Sequence, residues 1–274
     1  TLDIVSSFFA ANTAVSGGGA VNIQDTTALI SLSTFTGNSA FNGGAIRNTS
    51  TGTFTSLTIM DSNLLSNSSD NLGGAIHNIA FDDVGFVEIT ISNTTISSNT
   101  TGASGGGIYN SGTATIDGGT LFTDNTANDG GAIRNIGVLL IEQDVTIGGP
   151  VFEDRNQATA NGGGIYNDGF ATIDNAAILR NYATDGGGIW NSGTVNATNT
   201  EIGANTAYRG GGVFNQGMLT LTTTQVSANY ASTEGGGIWS NSTLIVESNS
   251  TIGGVTEAFA NIASYGGGIF ANGT

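Results

Sequence analysis

Gly186-Gly187-Gly188-Ile189-Trp190-Asn191 recurs in ten versions along a chain of 274 residues. Its aliphatic position is held in turn by Val21, Ile46, Ile76, Ile108, Ile133, Ile165, Ile189, Val213, Ile238 and Ile269, at intervals of 25, 30, 32, 25, 32, 24, 24, 25 and 31 residues. A period of this size carried across a whole chain marks a solenoid, in which each unit packs only on its neighbours and added length adds units. The chain therefore reads as one domain, 1–274.

Each unit holds three segments. The glycine run with its Ile-x-Asn comes first. A short alternating stretch follows, such as Ala171-Thr172-Ile173-Asp174 or Leu219-Thr220-Leu221-Thr222. The third ends in a hydrophobic-x-x-Asn signature, as in Phe35-Thr36-Gly37-Asn38, Phe122-Thr123-Asp124-Asn125 and Ile178-Leu179-Arg180-Asn181. All three alternate with period 2 and are rich in Ile, Val, Thr and Phe, the pattern of a half-buried strand, and no segment sustains a helical period. Three short strands per 24–25 residues predict an all-β, right-handed, single-stranded parallel β-helix of about ten coils. At ~4.8 Å per coil the rod is roughly 48 Å long.

The repeat assigns roles. The Ile189 series forms an inward aliphatic ladder, and the paired glycines suit a corner that needs positive φ or close backbone approach. Asn12, Asn38, Asn67, Asn99, Asn125, Asn156, Asn181, Asn205, Asn229 and Asn261 recur once per coil. A second set, Asn48, Asn78, Asn110, Asn135, Asn167, Asn191 and Asn215, follows the Ile position by two. Stacked asparagines pass amide hydrogen bonds from coil to coil and tolerate tight corners. Four intervals are longer by five to eight residues, placing insertions near 49–53, 79–86, 145–151 and 250–256.

Gly-Gly-Ala-Ile at 43–46, 73–76 and 130–133, combined with Phe-x-x-Asn at 9–12, 35–38 and 122–125, resembles the repeats of the chlamydial polymorphic outer-membrane proteins. The resemblance runs along nearly the whole chain. It implies a β-helix on the cell surface, with adhesion the usual role.

Composition narrows function. Five arginines and no lysine stand against 21 acidic residues, a net charge of −16, so no basic face exists for nucleic acid or an anionic membrane. The acidity fits either Ca²⁺ binding or plain solubility and self-repulsion of an extracellular surface. No cysteine is present, which removes disulfides and thiolate metal sites. No apolar run approaches the ~20 residues that span a bilayer. The chain starts at Thr1 with no signal-like segment, as expected if a leader is removed or a longer protein is cut.

Catalysis finds little to work with. His77 is the single histidine, with Asp82-Asp83 five residues on and Arg47 one coil away. A lyase or hydrolase of polysaccharides would need such a cluster of acids and bases. A solvated loop explains these residues better, so no enzyme and no cofactor are expected.

The residue after each inward Ile faces outward by alternation. Five consecutive coils place an aromatic there: Tyr166, Trp190, Phe214, Trp239 and Phe270. Exposed, they would form an apolar stripe large enough for a seam with a second chain or a platform for sugar; stacked on one another, they would be shielded. The ends carry a further hint. Joining Thr274 to Thr1 would put Asn12 17 residues after Ile269, the same spacing as from Ile108 to Asn125. Leu2, Ile4, Ile269 and Phe270 then become candidate assembly edges. The expectation is a secreted or cell-surface structural solenoid that partners itself head-to-tail, and laterally along the aromatics. The alternative is an adhesin or glycan-binding stalk; a polysaccharide lyase or hydrolase comes third. A slice of a longer array explains the ends as well as a filament does.

Overall fold

The computed structural model describes residues 1–80 and 86–273. The chain winds as a parallel β-solenoid with no α-helix among the described residues, only single 3₁₀ turns at Phe152–Asp154 and Glu257–Phe259. Three sheets are each ten strands deep and match the three segments of the repeat. Sheet 1 runs from Leu2–Val5 to Leu244–Glu247, and sheet 2 from Phe8–Ala10 to Thr251–Ile252. Sheet 4 runs from Val21–Gln24 to Ile269–Ala271 and carries the Ile-x-Asn segment. Sheet 3, between sheets 2 and 4, is an addition. It follows the first asparagine of each coil in short runs such as Ser39–Asn42 and Thr206–Arg209, and continues elsewhere as isolated bridges. Its residues are mostly Ser, Thr, Asn and Ala, without apolar alternation.

Register is residue for residue. Ile76 pairs with Ile46 and Ile108, and Ile189 with Ile165 and Val213. The interior is thus columns of like on like. Ile165, Ala171, Ile173 and Ile178 of one coil are all fully buried. In sheet 2 the column reads Phe9, Phe35, Leu64, Ile96, Phe122, Ile147, Ile178, Ile202, Val226, Ile252. The rings of Phe9 and Phe35 stack at 4.7 Å. Ile147 and Ile252 keep this column before the chain leaves it for the longer connections to Asn156 and Asn261. The glycine corner has two separate causes. Gly186 sits at φ +67, and a Cβ on Gly187 would come within 2.5 Å of the Gly211 carbonyl oxygen in the next coil.

Both asparagine ladders form. The Asn125 backbone N–H and its Nδ2 both donate to Asn156 Oδ1, at 3.0 and 2.9 Å, while Nδ2 also donates to the Ile96 carbonyl at 2.8 Å. Asn125 Oδ1 in turn accepts from the Asn99 backbone and side chain. The second ladder runs through the side-chain amides, with Asn135 Nδ2 donating to Asn167 Oδ1 at 2.8 Å. A third ladder is made of hydroxyls at the turn from sheet 1 to sheet 2. Backbone N–H groups of Ser7, Ser33, Ser62 and Thr94 donate to the hydroxyls of Ser33, Ser62, Thr94 and Thr120, and the pattern resumes at Thr200, Thr224 and Ser250. Buried Val145 and Ala176 interrupt it, and that break hides it from the sequence.

The candidate edges lie at opposite ends of the rod. Leu2 and Ile4 are in the first strand of sheet 1, and Ile269 and Phe270 in the last strand of sheet 4. Counted by sheets, the first and last rungs each carry all four positions. What counts as a split coil between Ile positions is therefore, by sheet, the turn from sheet 4 to sheet 1. An end-to-end contact would set a whole rung on a whole rung.

The first ladder gives a direct test. Asn125→Ala deletes an amide that makes two donations and two acceptances in a fully buried site. Unpartnered buried donors and acceptors cost ~1–3 kcal/mol each. Urea unfolding should show Asn125→Ala less stable by at least ~3 kcal/mol.

Candidate functional site

The aromatic column is in register on sheet 4: Tyr166 beside Trp190, then Phe214, Trp239 and Phe270. Ring centroids lie 4.1 Å apart for Tyr166–Trp190, 6.4 Å for Trp190–Phe214 and 4.2 Å for Phe214–Trp239, with all three pairs stacked. The column is not the open apolar stripe that alternation alone permits. Phe214 is 2% and Trp239 5% exposed, and Tyr166, Trp190 and Phe270 are half-buried. Two causes act together. Strand spacing sets each ring against the face of the next, so the rings cover one another. The residue just before each glycine corner then reaches across from sheet 3.

That cover is charged. Arg209 lies 4.9 Å from the Phe214 centroid and 5.5 Å from that of Trp239. Its Nε and Nη2 donate to the two carboxylate oxygens of Asp185, at 2.9 and 2.6 Å, and this pairing holds the guanidinium above its ordinary pKa. In the next coil Glu234 Oε2 accepts the Trp239 Nε1 proton at 3.0 Å. Asp185, Arg209 and Glu234 are register partners, so the charges alternate up the rod directly over the rings. Arg134, one coil below Tyr166, sits 3.7 Å over the Tyr166 ring and pairs with Asp168 at 2.5 Å. Burial pushes the Tyr166 phenol up to about 12, against the opposing pull of Arg134.

The same column continues downward through Tyr109, His77 and Arg47. His77 is buried, its ring edge-on to Tyr109 at 5.3 Å, and neither ring nitrogen has a hydrogen-bond partner. Burial, with the Arg47 charge adding to it, pulls His77 down to about 3. At neutral pH the imidazole is uncharged and packed against Tyr109. Asp82 and Asp83, proposed beside it, lie outside the described residues. Among the described residues no group of three His, Cys, Asp or Glu is placed to hold a metal ion, and no helix is long and apolar enough to cross a membrane.

Open aromatic surface lies instead on sheet 3, where the sequence did not direct attention. Tyr182, Tyr208 and Tyr230 are exposed there, next to a cleft lined by Arg155 and Arg180. A signal existed: Arg155 and Arg180 each precede a first-ladder asparagine, and Tyr182 and Tyr230 each follow one. Likewise Asp185, Arg209 and Glu234 each precede a glycine run.

Residues 119–135 match the Chlamydia polymorphic membrane protein (Chlamydia_PMP) repeat. That span contains both Phe122-Thr123-Asp124-Asn125 and Gly130-Gly131-Ala132-Ile133, the two signatures on which the resemblance rests. The chain is thus a β-solenoid with repeats like those of that family. Neither a curated protein nor a solved structure matches it.

Two measurements follow. Trp239→Ala should destabilise by ~3–5 kcal/mol, as for a buried aromatic; a ring serving only as a docking surface would leave unfolding unchanged. For His77, the folded pKa lies below the unfolded 6.5, so between those values the unfolded chain binds the extra proton and stability falls as pH falls. The slope approaches ~1.4 kcal/mol per pH unit. Thermal melts of the unsubstituted protein should drop between pH 6.5 and 5, and those of His77→Phe should stay nearly level. Parallel curves would contradict a buried neutral imidazole.

Proposed function

We propose that this chain is a structural, non-enzymatic β-solenoid of the cell surface whose end rungs stack on further rungs of the same kind, so that copies join head-to-tail. The observation that carries the reading is that the first and last rungs present the same apolar columns in the same sheet positions. Val246 is 42% exposed while its register partner Leu221 is fully buried, and Ile269 is open above a fully buried Ile238. Both belong to interior columns, apolar positions that a further rung of the same kind would cover. A second copy offers Leu2 and Ile4 at its first rung, in the same sheet position as Leu244 and Val246. Such a contact does not close on itself and produces filaments. The surface location is supported by the repeat resemblance and by the acidic, cysteine-free composition. The aromatic column is given no lateral role, because its central rings are already covered.

Negative-stain electron microscopy at rising protein concentration should show threads one rod wide. Val246→Asp or Ile269→Asp, which put a charge into the rung contact, should leave single rods. Single rods alone from the unsubstituted protein at high concentration would overturn the assembly.

A further inference from the structure

The face of sheet 3 carries a feature that end-to-end stacking does not use. Tyr182 and Tyr230 both pair in register with Thr206, so these three make one outward column. Two residues further along each segment stand Thr184, Tyr208 and Ser232. They form the next column: the Tyr208 backbone N–H donates to the Thr184 carbonyl, and Ala207 pairs with Ala231 one residue earlier. Tyrosine and hydroxyl residues therefore alternate both up the rod and along the strand, as on a checkerboard. All six border one cleft of about 360 Å³.

Spacing keeps these rings open. One coil step separates the stacked rings of sheet 4, whereas Tyr182 and Tyr230 stand two steps apart, ~9.6 Å, with Thr206 between them. Tyr208 is offset from each by one coil and two residues, roughly 8 Å. The rings stay apart, at 39%, 54% and 46% exposed for Tyr182, Tyr208 and Tyr230. The open stretch is bounded along the rod. Longer connections to Asn156 and Asn261 leave the neighbouring corner four coil steps apart, roughly 19 Å. The three coils between them turn there on single residues, Arg180, Ala204 and Ala228.

The cleft is also neutral. None of the eight residues that line it is charged, although the chain carries 21 acids and five arginines. Asp185 and Arg209, next along the same segments, pair with each other beside the sheet 4 rings. A ligand lying here gains from ring faces and hydroxyl groups rather than from ion pairs, and the net charge of −16 disfavours an acidic one.

We propose that this cleft binds a neutral β-1,4-linked glucan, with pyranose rings laid against Tyr208 and Tyr230 and hydroxyl edges bonded to Thr184, Thr206 and Ser232. Tyrosine offers both an apolar face for the C–H side of a pyranose and a hydroxyl for its edge. In a β-1,4-linked glucan every ring substituent is equatorial, so each ring shows a flat C–H face with its hydroxyls around the rim. That arrangement matches ring faces and hydroxyls alternating on a flat sheet. An α-linked chain coils and lifts successive rings off the surface. The site lies on sheet 3 and not at the rod ends, so it goes beyond end-to-end stacking, and failure of either leaves the other standing.

The test is isothermal titration with cellotetraose, against maltotetraose and a galacturonate tetramer as controls. The variants are taken from neighbouring coils, so that the fold is kept: Tyr230→Thr reproduces Thr206, and Tyr208→Thr reproduces Thr184. Cellotetraose should bind with an affinity that salt leaves unchanged. Each variant should weaken it tenfold or more with unchanged circular dichroism. Trp190→Phe, outside the cleft, should leave binding as it is. Absence of cellotetraose binding, equal binding of either control, or insensitivity to both Tyr208→Thr and Tyr230→Thr would overturn the proposal.

Discussion

The structure depends on one hydrogen-bond arrangement: an asparagine side-chain oxygen that takes two donors, a backbone N–H and an amide N–H, from the asparagine one coil before. This bond fixes the axial register of every coil against the next. It also sits at a sharp corner where the chain leaves sheet 2, so the backbone donor has no strand partner there and needs the side chain. A residue without an amide at that site would strand donors inside the rod. Hence the first ladder is unbroken from Asn12 to Asn261. The hydroxyl ladder, at the equally buried turn from sheet 1 to sheet 2, is interrupted by Val145 and Ala176 in place of Ser or Thr.

The same bond explains where coil length is free to vary. Ile147 keeps its place in the sheet 2 column and Asn156 keeps its place in the ladder. The extra residues between them are looped out without disturbing either. A solenoid stacks through fixed points, and the path between two fixed points is unconstrained so long as both are reached. The ladders therefore do for this chain what a single compact core does for a globular one.

That logic decided how much could be read beforehand. Coil boundaries, the Ile column and both asparagine ladders were legible because each repeats one residue type at one position. Sheet 3 was not: runs like Ser39–Asn42 lack the apolar alternation that announces a strand, and their pairing is imposed by the coils around them. The hydroxyl ladder was hidden by its two apolar interruptions. The candidate site was legible in position and not in state. Tyr166 through Phe270 do align on the outward face of sheet 4. Their burial comes from mutual stacking and from Asp185, Arg209 and Glu234, which only the fold brings over the rings.

The two aromatic groups show how a column in a solenoid gains or loses availability. At one coil step, a ring's faces are met by the rings above and below it. An unbroken run such as Trp190, Phe214, Trp239 thus consumes its own surface and becomes part of the core, however outward its alternation points. A run broken by a small residue, as Thr206 breaks Tyr182 from Tyr230, cannot close on itself, since two coil steps exceed stacking distance. Aromaticity repeated in every coil therefore builds the rod, and aromaticity repeated in every second coil leaves faces for something else. In this chain the interrupted run is also the one that two arginines border. Regularity of a column reads as structure and its interruption as open surface, a criterion that alternation within a single strand cannot supply.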